Sequence, residues 1–251
     1  MNGSPTMRYS LFLLACAALI PVATANAATI LVDEDFESYA DTAAMQVNWG
    51  ATGAGSLDTT TGNPGQSALH PGGTVNSWVG SALSLIPSDT DKLVLTADIY
   101  DDGTPSRNTV GLRNGATPLF EMGHYNSTLE RYHVRILNMY GGENWIPIEP
   151  GLAADAGAPA GWNRYQATFT GTSLEITIDL GADGTIDGSY TSVGAPSASP
   201  FVDLRFGGPS NLSSAGPIHV DNIRLEIVPE PSTFALAGLA LVGLVGFARR
   251  K

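Results

Sequence analysis

Residues 161–190 read GWNRYQATFTGTSLEITIDLGADGTIDGSY, and the spacing of their apolar side chains decides the fold class. Apolar residues recur at every second position in Tyr165–Phe169 and again in Leu174–Leu180. This alternation is typical of strands that have one face in a core and the other face in solvent. The turn-forming residues Gly181–Gly184 follow directly, so we expect the second strand to form a hairpin with a third.

The same period of two continues outward through residues 28–227, which form the predicted domain. The other alternating segments include Leu93–Ile99, Tyr132–Ile136 and Val202–Phe206. In the last of these segments, Arg205 should face solvent. Clusters of Gly, Pro, Asn and Asp separate the segments, and no window of 12 or more residues shows a convincing helical period. The pattern predicts an all-β fold without helices, namely an antiparallel two-sheet β-sandwich.

The strand predicted at Ile218–Ile227 changes its own pattern partway along. Its apolar side chains stand at 218 and 220 and then at 223, 225 and 227. The parity changes across Asp221 and Asn222, and a strand can change face in this way only through a bulge or bend. We therefore predict a bulge at Asp221, which makes this carboxylate a candidate for a special role.

The chain has 251 residues and a formal net charge of −12. Residues 28–227 hold 8 Lys and Arg against 23 Asp and Glu, which leaves this body near −15. Such a surface repels nucleic acid and attracts Ca²⁺, so we expect no nucleic-acid partner. The chain has 1 cysteine, which excludes a disulfide scaffold and cysteine-based metal sites.

Residues 1–27 have the three parts of an export signal. Arg8 supplies positive charge, Leu11–Val22 is an apolar run, and Ala25–Ala27 is a small-x-small cleavage site. This pattern predicts export by the Sec route and removal of the segment by signal peptidase. A lipoprotein signal is the alternative, because the residues that end at Cys16 fit a lipobox.

Residues 228–251 combine a proline pair, an apolar stretch and a cationic end. The 15 residues of Phe234–Ala248 are uncharged, and as a helix they would rise about 22 Å, less than the ~30 Å hydrocarbon core of a bilayer. We predict a short transmembrane helix that anchors the chain in the inner membrane before processing, with its terminal cations in the cytoplasm. The sorting residues are Pro229, Glu230, Pro231, Arg249, Arg250 and Lys251.

This C-terminal segment resembles the PEP-CTERM sorting signal in all three of its parts. The resemblance implies export in a Gram-negative bacterium and an exosortase, a membrane protease-transpeptidase, as the processing partner. It also implies extracellular polysaccharide as a partner, since the signal often marks exported proteins of polysaccharide-producing bacteria. After processing, the protein is expected at the cell surface or in the extracellular matrix.

The body resembles concanavalin A-like, laminin G-type jelly rolls through three short motifs. The motifs are Asp35–Tyr39, Trp162–Tyr165 and Val220–Ile223. A galactose-binding-type jelly roll is the alternative. Either resemblance implies that the first and last strands lie close together.

Four carboxylates are the candidate ligands of a structural Ca²⁺ ion. They are Asp33, Asp35, Glu37 and Asp221, which come together if the terminal strands are neighbours. Ca²⁺ takes six to eight hard oxygen ligands, and carboxylates supply them. The alternative is a solvated acidic edge that discourages strand pairing. A second acidic segment, residues 179–187, fits a hairpin turn better than a calcium loop, because glycine stands at a ligand position.

Trp145, Tyr140 and Asn144 are the candidate ligand-binding residues, because they flank the Gly141–Gly142 turn, where side chains reach the surface. Aromatic rings stack on sugar rings, so the expected ligand is a polysaccharide. Glycoside hydrolysis needs two carboxyl groups across a cleft, and no such pair can be nominated. We therefore expect a protein that is not an enzyme. The alternatives are a glycoside hydrolase or lyase and a structural matrix protein without a ligand.

Overall fold

A computed structural model describes residues 27–103, 106–125, 131–142, 144–148, 160–208 and 217–230. The predicted signal peptide up to residue 26 and the predicted transmembrane helix lie outside these residues. So do four of the sorting residues, namely Pro231, Arg249, Arg250 and Lys251. In the described ranges, no helix has the length and apolar character needed to span a bilayer.

The described body consists of short strands and one helix. Its first half contains β1 (Thr29–Glu34), α1 (Thr42–Trp49), β2 (Ser56–Asp58), β3 (Ser67–His70), β4 (Asn76–Ser77), β5 (Asp91–Asp101), β6 (Thr109–Arg113) and β7 (Leu119–His124). Its second half contains β8 (Tyr132–Leu137), β9 (Ile146–Pro147), β10 (Gly161–Phe169), β11 (Ser173–Leu180), β12 (Gly188–Val193), β13 (Asp203–Gly207) and β14 (Ile218–Pro229).

These strands form two antiparallel sheets, as the alternation predicts. The eight-stranded sheet has the order β12-β11-β10-β5-β14-β3-β2, with β1 also paired to β14. The six-stranded sheet has the order β4-β13-β6-β7-β8-β9. The first and last strands are neighbours, since Asp33 lies opposite Arg224. The expectation from the jelly-roll resemblance is therefore confirmed.

One apolar core joins the two sheets. Tyr165, Ala167 and Phe169 of β10 are fully buried in it, and Val110 and Phe120 contribute from the six-stranded sheet. Burial of one large apolar side chain stabilises a fold by about 1.5–3 kcal/mol. The alternating residues of the deciding stretch thus supply one wall of the core.

The predicted bulge lies where the parity of β14 changes. The register between β14 and β5 shifts between Asp221 and Arg224, and Asn222 has a φ of 48°. A φ in this left-handed region is tolerated by asparagine better than by most residues. Val220 before the bulge and Ile223 after it are both fully buried. The bulge therefore keeps both halves of the strand facing the core.

Helix α1 differs from the prediction of a body without helices. The Asp41 side chain caps it by accepting a hydrogen bond from the Ala44 amide at 2.8 Å. Only Met45 and Trp49 of its 8 residues are buried, one turn apart. Two buried positions over two turns give too weak a period for sequence analysis to detect.

The acidic segment after β11 forms a turn, as predicted. The two carboxylate oxygens of Asp179 accept hydrogen bonds from the amides of Asp183 at 3.0 Å and Gly184 at 2.8 Å. Asp187 accepts one from the Leu180 amide at 2.7 Å. These carboxylates hold the backbone of the β11–β12 hairpin.

Candidate ligand-binding site

A row of four residues crosses the outer face of the six-stranded sheet. The register places Arg205 beside Gly111, Gly111 beside Glu121, and Glu121 beside Arg135. Their neighbours along the strands, such as Val110, face the core, so the row faces away from it. A Cβ on Gly111 would lie 2.2 Å from the Phe120 carbonyl oxygen, so this strand position requires glycine. We call these four residues the charged row.

Glu121 binds both arginines of the charged row. Its Oε1 accepts from Arg205 Nη2, and its Oε2 accepts from Arg135 Nη1 at 3.3 Å. Arg205 is only 2% exposed, which differs from the expectation that it faces solvent. Its burial lowers its pKa, although the Glu121 charge opposes that shift. Glu121 therefore links the arginines of β13 and β8 across β7.

Trp145 lies at one end of the charged row, within a cluster of arginine and aromatic side chains. Its ring centroid is 5.1 Å from that of Tyr125. The Arg107 guanidinium lies 4.8 Å from the Tyr125 ring and 5.5 Å from the Trp145 ring, and Arg135 lies 5.6 Å from Trp145. The Nε of Arg135 also donates to Asn144 Oδ1 at 2.7 Å. We call Arg107, Tyr125, Arg135, Asn144 and Trp145 the aromatic–arginine cluster.

The backbone of Trp145 is strained. Its φ is 60°, in the left-handed region that bulky residues avoid. Such a conformation costs about 1–3 kcal/mol and persists only where surrounding contacts impose it.

Tyr140 does not belong to the aromatic–arginine cluster. Its ring is buried in the core at 1% exposure, and its hydroxyl donates to the Thr170 carbonyl at 2.7 Å. The backbone of Tyr140 has a φ of 51°, which takes it out of any strand alternation. Of the three predicted ligand-binding residues, the structure brings Trp145 and Asn144 together and places Tyr140 elsewhere.

Sequence analysis missed Arg107 and Arg135. One signal was available for Arg135, because it stands at an outward-facing position in the alternation of Tyr132–Ile136. Contact between Trp145 and the two arginines depends on cross-strand register and loop geometry, which the sequence does not give.

The four predicted calcium ligands fall into separate contacts. Asp33 pairs with Arg224 at 3.1 Å, and Asp35 Oδ1 accepts from the Glu37 amide at 3.1 Å. Glu37 and Asp221 instead both accept hydrogen bonds from the loop of residues 63–66. Glu37 accepts from the amide of residue 66 at 2.5 Å, and Asp221 accepts from that of residue 63 at 2.6 Å.

Asp221 carries an unusual charge environment. Burial, together with the nearby charges of Asp98 and Glu37, raises the pKa of Asp221 to about 7, despite hydrogen bonds from the amides of Asn63 and Asn222. Asp98 lies opposite Asp221 in the sheet, and Arg164 holds it through two contacts of 2.8 Å. Within the described residues, no group of three or more His, Cys, Asp and Glu side chains is arranged to hold a metal ion.

A polar cleft of about 380 Å³ lies on the eight-stranded sheet, and Asn222, the neighbour of Asp221, is one of its lining residues. Asp33, Arg164 and Arg224 are among its lining residues, and no aromatic side chain lines it. Arg224 contacts Glu226 at 2.9 Å as well as Asp33, so much of the charge in the cleft is compensated internally. The aromatic–arginine cluster is therefore the better candidate for binding a sugar.

Comparison with known proteins identifies the C-terminal segment and the fold. Residues 228–251 match the PEP-CTERM protein-sorting motif, as predicted. This motif is a membrane-associated export signal, and it implies processing by exosortase. No curated protein matches the chain.

Among solved structures, one similar fold is domain 4 of AbnA, a GH43 extracellular arabinanase from Geobacillus stearothermophilus, solved in complex with arabinotriose. The TM-score is 0.51 at 12% identity, over 82% of this chain and 97% of that domain. Arcelin-5, a lectin-like defence protein from Phaseolus vulgaris, has a TM-score of 0.45 at 7% identity, over 73% of this chain and 96% of arcelin. Lectin II from Ulex europaeus has a TM-score of 0.46 at 10% identity, over 69% of this chain and 89% of the lectin. The likeness to the arabinanase domain shows a shared fold, which agrees with the two antiparallel sheets of the described body.

Proposed function

We propose that the chain is an exported protein that binds polysaccharide at the cell surface or in the extracellular matrix and performs no chemistry on it. Signal peptidase removes the N-terminal segment, and exosortase processes the C-terminal one. The PEP-CTERM sorting motif at residues 228–251 supports export as part of this proposal. The jelly-roll fold is compatible with this role but does not by itself establish it.

The aromatic–arginine cluster carries the proposal. It holds an aromatic ring in a strained loop, a half-buried arginine and the exposed amide of Asn144 on one outer sheet face. Sugar-binding sites combine aromatic surface with a few placed hydrogen-bonding groups. The cluster offers both within reach of one sugar unit.

A binding role is favoured over catalysis by the position of Glu121. Glycoside hydrolysis needs a general acid and a second carboxylate across a cleft. Glu121 contacts Arg135 of the cluster, and it is fully buried between two arginines. A carboxylate held in this way is unable to protonate a leaving group in solvent.

Replacement of Trp145 by alanine should weaken polysaccharide binding by about 5- to 30-fold. The change removes the ring that orders both arginines, a loss of about 1–2 kcal/mol of stacking and cation–π interaction. The measurement is affinity electrophoresis of the full chain in mild detergent, in gels that contain soluble neutral or acidic polysaccharides.

Trp162→Ala is the matched control, because Trp162 lies on the eight-stranded sheet, away from the cluster. Its ring centroid there is 5.4 Å from that of Tyr100. Its retardation in the gel should equal that of the wild type. Retardation unaffected by Trp145→Ala would place binding elsewhere, and no retardation by any polysaccharide would favour a matrix protein without a ligand. Release of reducing ends or unsaturated sugars would instead establish an enzyme.

We also propose that Ca²⁺ is a structural cofactor at the junction of Glu37 and Asp221. A cation there would favour the charged form of Asp221, whose pKa is raised chiefly by burial and also by the nearby charges of Asp98 and Glu37. Calcium at 100 times its dissociation constant should then stabilise the EDTA-treated chain by about 2.7 kcal/mol, measured by thermal unfolding. Glu37→Gln should lose most of this effect, whereas Asp33→Asn should keep it. The same response in both variants, or no response to calcium, would rule the site out.

A further inference from the structure

We infer that the folded domain holds the first residues of the sorting motif in an autoinhibitory contact, and that exosortase takes the motif only when the end of β14 separates from β5. This inference rests on the exosortase step of the proposed function and adds what controls that step. Its basis is an overlap in the chain, because the motif begins at residue 228 whereas β14 ends at Pro229.

Residues 228–230 continue the pairing of β14 with β5. The register places Pro229 opposite Asp91, and the Glu230 amide donates to the Thr90 carbonyl at 2.9 Å. Backbone N–H groups alternate sides along a strand, so the Pro229 nitrogen faces away from β5 and its missing hydrogen removes no bond there. The sorting motif therefore begins inside the sheet.

An ion pair between Lys92 of β5 and Glu230 reinforces this pairing. Lys92 Nζ lies 2.8 Å from Glu230 Oε1, and the two side chains are 36% and 40% exposed. Glu230 is the only acidic residue in the sequence 228–251, so the pair occupies the one carboxylate that the motif offers to a partner. An ion pair this exposed contributes little stability, which suits a contact that opens and closes.

The turn that supplies the Thr90 carbonyl is ordered by its own hydrogen bonds. The Ser88 hydroxyl accepts from the amides of Thr90 at 3.3 Å and Asp91 at 3.0 Å, and the Ser88 amide donates to the Asp91 carbonyl at 3.2 Å. These bonds hold the acceptor in place independently of the motif. The domain therefore presents a preformed partner to Glu230.

In the described strands, this end of β14 is paired on one side only. On its other edge, β1 begins at Thr29, which lies opposite Ile227. An enzyme that binds an extended peptide needs the backbone groups and side chains that β5 occupies. Strand ends open locally at low free energy, and where opening is fast, cleavage follows the open fraction. Processing should therefore follow how often residues 228–230 leave β5.

Pulse–chase labelling of the full chain in its natural host measures how fast the precursor loses its C-terminal segment, with a strain that lacks exosortase as the baseline. Lys92→Gln should speed processing about two- to fivefold, the range expected for loss of an exposed ion pair. Lys92→Glu should speed it further, because it repels Glu230, whereas Lys92→Arg should keep the wild-type rate.

Arg224→Gln is the matched control. Arg224 is another cation of the same sheet, its side chain is 38% exposed, and its ion pairs join it to Asp33 and Glu226 rather than to the motif. Its processing should equal that of the wild type. Hydrogen exchange of the Glu230 amide, measured on the precursor in mild detergent, should be about two- to fivefold faster in Lys92→Gln and unchanged in Arg224→Gln.

An insertion tests release of the whole contact. Four Gly and Ser residues placed between Ile227 and Val228 leave the motif intact but move it off β5, so processing should be faster than in Lys92→Gln. The same insertion in the turn at residues 181–184 should have no effect. Because the first insertion also lengthens the tether, the Lys92 variants are needed to assign the effect to pairing.

The outcomes separate this inference from the proposed function. If the wild-type chain is processed but Lys92→Gln and Lys92→Glu are not faster, the inference is wrong and the proposed function stands, even if the insertion speeds processing. Slower processing of these variants would mean that exosortase recognises the motif in its paired form, which also overturns the inference. No processing of the wild-type chain overturns the exosortase step itself, and the inference with it.

Discussion

Replacement of Asp101 by alanine should lower the free energy of unfolding by about 3–5 kcal/mol. Asp101 ends β5 of the eight-stranded sheet, and Arg131 directly precedes β8 of the six-stranded sheet. Asp101 Oδ1 accepts from Arg131 Nη1 at 2.7 Å, and both side chains are buried, at 1% and 4% exposure. Removal of the carboxylate leaves the Arg131 charge buried without its partner, which is the costly half of a buried ion pair.

Two further contacts increase the expected effect. The Tyr132 hydroxyl donates to Asp101 Oδ2 at 3.1 Å, and the Gly103 amide donates to Oδ1 at 2.8 Å. Arg131 Nη2 in turn donates to the Gly103 carbonyl at 2.6 Å. The carboxylate therefore fixes the end of β5, the turn after it and the start of β8 at once.

Chemical denaturation of the full chain measures the loss. Asp101→Asn should lose less than the alanine variant, since an amide oxygen keeps one acceptor. Glu175→Gln, an exposed carboxylate of β11, should change stability by less than about 0.5 kcal/mol. A loss below 1 kcal/mol in the alanine variant would mean that Arg131 finds another partner or reaches water.

The fold was predictable where the information is local. The β10–β11 pair follows from alternation and a short turn, and Phe169 lies opposite Leu174 across only a few residues. The bulge at Asp221 was predictable for the same reason, because a parity change within one strand requires no knowledge of its neighbour. Helix α1 was missed because its two buried residues leave no clear period.

The candidate site was only partly predictable, because its contacts join distant segments. Arg205 and Glu121 are 84 positions apart in the chain, so no local pattern announces their ion pair. Alternation placed Arg205 on the outer face correctly, but it equated the outer face with solvent. Tyr140 lies outside the cluster for another reason, because it has a left-handed backbone conformation and its ring is buried in the core. Trp145 was nominated from its turn, whereas the arginines over its ring were not nominated.

Replacement of Glu121 by glutamine should also lower the free energy of unfolding by about 3–5 kcal/mol. The side chain of Arg205 is 3% exposed and that of Glu121 is fully buried, so the variant leaves a guanidinium charge in a site of low polarity. Arg135, at 20% side-chain exposure, can move into solvent and is expected to contribute less. The loss therefore comes chiefly from Arg205.

A double variant tests this cause. Glu121→Leu combined with Arg205→Met removes both buried charges, and a buried pair replaced by apolar side chains of similar volume is often neutral in stability. The double variant should therefore unfold with a free energy within about 1 kcal/mol of the wild type, whereas each single change is strongly destabilising. Additive losses in the double variant would contradict the buried-charge explanation and assign the effect to packing. Because Arg135 belongs to both the charged row and the aromatic–arginine cluster, Glu121→Gln should also loosen Arg135 from the Trp145 ring, which near-ultraviolet circular dichroism can detect.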